Sequence, residues 1–95
     1  MDVNEPDLLI EKARLSWKGE DHREALRLLE DPLLQDNSEA ALLAGEIHYS
    51  CQNWGAALNK FRHCLQIDPQ LKAAQTYVEL IRNILGFFHT DQFNP

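Results

Sequence analysis

Shifted along itself by 32 residues, the chain superposes Ala13 on Gly45, His22 on Trp54, Ala25 on Ala57, Leu26 on Leu58 and Leu29 on Phe61. A unit of that length is one helix pair, too small to bury its apolar face alone, so neighbouring units must stack. Apolar residues recur at helical spacing and no segment alternates long enough for a strand. The expected fold is therefore all-α, with five helices paired as antiparallel hairpins in a short solenoid. At 95 residues the chain makes one domain that hides only about 60–65% of its unfolded surface, too little for a two-lobed enzyme.

Local signals place the elements. The first helix is expected over Pro6–Lys18, with Asn4 and Asp7 as a cap pair and Leu9, Ala13 and Trp17 on one face, and Gly19 closes it. Asp21 and Glu24 read as a capping box for a second helix, which Pro32 interrupts, with Leu33 and Leu34 both expected to pack inward. Ser38 is the expected cap of a third helix ending near Gln52. Gly45 lies inside it, where glycine costs about 1 kcal/mol relative to alanine, so a neighbouring backbone is expected to approach there. Asn53 should cap the fourth helix, which Asp68-Pro69 ends while opening a fifth that runs to about Gly86.

The second copy carries Gly45, Trp54, Ala57, Phe61, Cys64 and Pro69, and its segment NWGAALNKFRHCLQIDP resembles a tetratricopeptide repeat. Residues 6–37 form a degenerate copy, with Pro32 at a small-residue position, 38–71 a well-matched copy, and 72–95 a terminal helix and aromatic tail. Ala41, Ala44 and His48 depart from the larger or aromatic residues usual at their positions. The tail ILGFFHTDQFNP is similar to the end of small stand-alone bacterial members. The resemblance implies a non-enzymatic module that binds an unidentified protein or peptide in a groove lined by the first helix of each pair. On this chain the groove candidates are Ile10, Arg14, Trp17, Leu42, Glu46 and Tyr49. Ile10, Arg14 and Leu43 stand where the family's carboxylate clamp has other residues, so no chaperone-tail binding is expected.

In the fifth helix two apolar stripes lie side by side, one through 71, 74, 78, 81 and 85, the other through 77, 80, 84, 87 and 88. A preceding hairpin covers only part of so wide an arc, and something further must cover Tyr77, Leu80 and Ile84. Either the tail folds back, with Phe88 and Phe93 closing the core, or the surface docks on another chain. The second case makes the alternative function a self-associating structural protein, a homodimer through the fifth helix and tail.

His48, Cys51, His63 and Cys64 are zinc-type ligands, but an antiparallel pairing of Gly45 with Cys64 sets Cys51 about 9 Å along the axis from Cys64. Neither a metal nor an intrachain disulfide is expected, and no cofactor. The glycines stand alone rather than in a phosphate loop, and no nucleophile motif is present, so no enzyme is expected. Fifteen acids against nine bases give a net charge of -6, which repels nucleic acid and anionic lipid. With no apolar run of about 18 residues and an acidic start, MDVNEPDLLIEKAR, the expected location is cytoplasmic.

Overall fold

A computed structural model describes residues 4–88, which form five α-helices and no strand. They are α1 (Glu5–Lys18), α2 (His22–Leu29), α3 (Ser38–Ser50), α4 (Trp54–Ile67) and α5 (Lys72–Phe88), with a 3-10 turn at Pro32–Leu34 between α2 and α3. Residues 89–95, and with them the tail candidate Phe93, lie outside the described residues. Phe88 is placed only as the last residue of α5.

The helix ends show which polar atoms set each boundary. α1 carries Pro6 and the acids Glu5 and Asp7 in its first turn, which suits its exposed N–H groups, but the expected side-chain cap from Asn4 is not made. At α2 half of the expected box forms. Asp21 Oδ1 accepts from the Glu24 amide at 3.1 Å, whereas the Glu24 carboxylate turns to Arg27 and accepts two N–H bonds at 2.8 and 2.7 Å. α3 is capped by Asn37 instead of Ser38, because Asn37 Oδ1 accepts from the Ala40 amide at 3.0 Å and Ser38 is already helical. That helix stops at Ser50, short of the expected Gln52. Asn53 precedes α4 without making a side-chain cap. α5 starts at Lys72 instead of Pro69, after a turn in which Asp68 Oδ1 accepts from the Gln70 amide at 3.2 Å, and it extends past Gly86.

Pro32 ends the second helical segment as expected. Asp31 Oδ1 accepts from the Leu33 amide at 2.9 Å and starts the 3-10 turn. Successive side chains in such a turn diverge by about 120°, so Leu33 and Leu34 cannot share a direction. Leu34 is buried, whereas Leu33 is 53% exposed and does not pack inward.

The two tight hairpin turns match bond for bond at the offset seen in the sequence. In the first, the Glu20 amide donates to the Trp17 carbonyl and the Asp21 amide to the Ser16 carbonyl, both at 2.8 Å. In the second, the Gln52 amide donates to the Tyr49 carbonyl and the Asn53 amide to the His48 carbonyl, both at 2.9 Å. The left-handed residue in each is not a glycine: Glu20 has φ 67° and Gln52 φ 61°, while Gly19 has φ -83°. Left-handed backbone costs an ordinary residue about 1–2 kcal/mol, part of which glycine's larger unfolded-state entropy offsets. Gln52→Gly is accordingly expected to stabilise the fold by about 0.5–1 kcal/mol in urea denaturation. A loss of stability would contradict this account of the turn.

Two apolar clusters make the core, and α3 contributes to both. Ile10 and Ala13 of α1, Ala25 and Leu29 of α2, and Leu34 meet Ala40, Leu43, Ala44 and Ile47 of α3. On another face of α3, Ala41 joins Ala57, Phe61 and Cys64 of α4 and Ala74 and Ile81 of α5. Gly45 is the close-approach point, but the neighbour is a side chain: a Cβ placed on it would lie 2.5 Å from Cε1 of Phe61. The approaching backbone expected there is replaced by a ring. Gly45 therefore stands opposite Phe61, one helical turn from the expected pairing with Cys64.

Candidate functional site

At 100° per residue, Leu42, Glu46 and Tyr49 fall within about 60° of one another on α3, away from its buried alanines. All three are half-buried. On the α1 side, Arg14 donates to Glu39 at 3.0 Å through a largely exposed ion pair. On the α5 side, the Tyr77 hydroxyl donates to Glu46 Oε2 at 3.3 Å. The odd-numbered helices are thus linked side by side, α1 to α3 and α3 to α5. On the α2–α4 side, Lys60 of α4 reaches Glu30, just past α2, at 3.3 Å.

An aromatic group anchors the α3–α5 junction. Tyr49 meets Trp54 edge-on at 5.2 Å between ring centres and Tyr77 at 5.0 Å, and Tyr77 stacks on Phe61 at 4.4 Å with the rings 3° from parallel. Each such pair adds about 0.5–1.5 kcal/mol beyond the area it buries. Burial first, and then the Glu46 carboxylate, push the Tyr77 phenol above its usual range. Its hydroxyl therefore remains a donor at neutral pH.

The groove candidates do not all lie on this surface. Ile10 was expected to be partly exposed, but it is 2% exposed and sits in the first core cluster, since the face it occupies points at α2 and α3. Trp17 is half-buried against the same cluster. Arg14 is exposed, and Leu42, Glu46 and Tyr49 come together near α5. Of the second set of candidates, Tyr77 needs no further cover, because α3 and α4 supply it through Tyr49 and Phe61. Leu80 is 42% exposed and Ile84 half-buried, one and two turns farther along α5. Sequence reasoning separated Glu46 from Tyr77, and it missed Glu39 as the partner of Arg14. The only available signal was the width of the α5 apolar arc, whose edge at Tyr77 proves to face α3.

A cleft of about 300 Å3 opens where α2 stops early, floored by Leu29, Leu34, Ala40, Ala41 and Ala44 and flanked by Lys60 and His63. His63 Nε2 bonds the Gln35 carbonyl at 2.8 Å across it. Ala41 and Ala44 line it with methyl groups only, so a larger side chain at either position would occupy part of the space.

The four zinc-type side chains have separate surroundings. Cys64 is buried and its Sγ donates to the Ser38 carbonyl at 3.4 Å, and burial, with Asp68 adding, pushes the thiol up. Cys51 is exposed and both thiols are free. Burial lowers the His48 imidazole below its ordinary pKa, with Lys60 adding to the effect, so it is neutral at neutral pH. Among the described residues no three histidine, cysteine or carboxylate side chains gather as a metal site, and no helix is long and apolar enough to cross a membrane. No protein-family model, curated protein or solved structure matches the chain.

Proposed function

We propose that the chain is a non-enzymatic protein-binding module, a short tetratricopeptide-like solenoid that holds a peptide or protein segment along the α1–α3–α5 face. The observation that carries this reading is the side-by-side linkage of the odd-numbered helices through Arg14–Glu39 and Tyr77–Glu46. A stack of helix pairs sharing one hand places the first helix of every pair on one side and creates such a face. The equivalent hydrogen bonds of the two hairpin turns support the assignment of 6–37 and 38–71 as copies of one unit. α5 then takes the place of the first helix in a third pair.

Selection from a phage-displayed random 12-residue library against the immobilised full chain tests the reading. Enriched clones are expected to bind the parent and to bind Arg14→Glu and Leu42→Asp at least about tenfold more weakly, a loss typical of a disturbed interface anchor. Circular dichroism confirms that the variants remain folded. Equal capture by parent and variants would remove the site assignment, and failure to enrich any clone would count against peptide binding itself.

A further inference from the structure

The cleft beside the 3-10 turn owes its existence to a difference in helix length. Pro32 ends α2 after 8 residues whereas α4 runs for 14, so the first half of α3 has a helix on one side and only a short turn on the other. Ala40, Ala41 and Ala44 floor the gap with methyl groups, and Leu29 and Leu34 complete the apolar base of a space of about 300 Å3. Around α3 these alanines lie roughly opposite Leu42, Glu46 and Tyr49, so the cleft is separate from the face that joins the odd-numbered helices.

Two links cross the cleft from successive turns of α4. Lys60 Nζ reaches Glu30 Oε2 at 3.3 Å, and His63 Nε2 meets the Gln35 carbonyl at 2.8 Å. A carbonyl can only accept, so Nε2 carries a proton and donates it there. The chain thus builds a small apolar basin beneath two polar straps. An apolar cavity of about 150 Å3 takes up one benzene ring, so twice that volume suits a ring with a short carbon chain.

Charge selects the polar end of the occupant. Glu30 and Asp31 bring two carboxylates to the rim and Lys60 one ammonium. Lys60 is engaged with Glu30. Asp31 is half-buried and its Oδ1 accepts from the Leu33 amide, but among the described residues no cation is paired with it. His48, one turn along α3 from Ala44, is held neutral by burial and adds no positive charge. The chain's net charge of -6 acts in the same direction, so a cation is favoured over an anion of the same shape.

We propose that this cleft is a binding site for a small amphiphilic amine, whose ring or short alkyl body rests on Leu29, Leu34, Ala40, Ala41 and Ala44 and whose ammonium group pairs with Asp31. The site is independent of the protein-binding reading above, which concerns the other side of α3. Its apolar base gives affinity and its rim gives the preference for a positive charge.

The test titrates the 15N-labelled full chain at neutral pH with three probes that share one body: 3-phenylpropylamine, 3-phenylpropanol and 3-phenylpropionate. Amide shifts are expected over residues 30–35, 40–44 and 60–63, with a dissociation constant of about millimolar for the amine, as suits a ligand of roughly ten non-hydrogen atoms. The amine should bind about fivefold tighter than the alcohol, and the carboxylate more weakly than either. Asp31→Asn retains an oxygen for the Leu33 amide, and it should bring the amine down to the affinity of the alcohol. Lys60→Gln leaves Glu30 without its partner, and it should tighten the amine about two- to fivefold. Ala44→Leu should weaken all three probes by filling the space.

Tighter binding of the carboxylate than of the amine, equal affinity for the three probes, or an amine preference that survives Asp31→Asn would overturn the proposal. Weaker amine binding by Lys60→Gln would do the same, since it would make the lysine an anchor for the ligand. Unchanged binding by an Ala44→Leu variant whose melting curve shows it folded also overturns it. If that variant does not fold, the two rim substitutions decide. Shifts confined to the α1–α3–α5 face, or none at the cleft amides up to about 20 mM amine, would remove the site.

Discussion

Gly45→Ala is expected to cost about 1 kcal/mol of folding stability or more, which lowers the melting temperature of a domain this size by at least roughly 4–8 °C. The added methyl would sit 2.5, 2.7 and 2.8 Å from Cε1, Cδ1 and Cζ of Phe61, well inside contact distance. A flexible side-chain tip could move away, but this ring cannot. Phe61 is 0% exposed, and Tyr77 stacks on it at 4.4 Å. Displacing the ring pushes Tyr77 and strains its bond to Glu46. Overpacking of this kind costs about 1–3 kcal/mol or more, and alanine's better helix propensity returns about 1. Gly55 supplies the internal comparison, because a methyl placed there meets nothing within 4 Å. Gly55→Ala should leave the melting temperature unchanged or raise it slightly. If Gly45→Ala melts within about 2 °C of the parent, the tight approach of α3 and α4 is wrong.

Phe61→Ala is expected to have the largest effect, a loss of about 3–5 kcal/mol by urea denaturation. Domains of this size are stable by about 5–15 kcal/mol in total, so much of the folding free energy would disappear with one side chain. The ring fills the space beside Gly45, supports Tyr77 and belongs to the cluster shared by α3, α4 and α5. Its loss leaves a cavity beside Gly45, and the methyl groups of Ala41, Ala57 and Ala74 in the same cluster are too short to fill it. The coupling between the two positions is also testable. Gly45→Ala combined with Phe61→Leu should cost less than the sum of the single changes, since the smaller side chain makes room for the methyl. A Phe61→Ala loss below about 1.5 kcal/mol would contradict the central role of the ring.

The helices were legible because punctuation in this chain is strong: Gly19, Pro32 and Asp68-Pro69 each mark a real end. The choices between neighbours were not. Asn37 and Ser38 are both competent caps, and the backbone angles of one residue decide between them. Gly19 looks like the left-handed residue of the first turn, yet the turn length assigns that conformation to Glu20. Leu33 and Leu34 read alike until the 3-10 turn separates them.

The register of α3 against α4 was read one turn off, because Gly45 announces a close neighbour without saying whether it is backbone or ring. In the candidate site, Leu42, Glu46 and Tyr49 share a face by simple helical arithmetic. Ile10 obeys the same arithmetic and is nevertheless buried, because burial depends on which helices lie alongside. The position of Tyr77 against α3 is likewise a tertiary fact. Periodicity shows that α5 has a wide apolar arc but not which part of it meets a neighbour.

α3 is buried on two faces, with Ile47 and Leu43 turned toward one hairpin and Ala41 and Gly45 toward the other. Cutting the chain between residues 37 and 38 would therefore not release two viable halves. The first would lose the lid of its core, and the second would present a bare aliphatic flank to water. Adding or removing one hairpin would require this middle segment to be rewritten at the same time, because both of its faces are already committed.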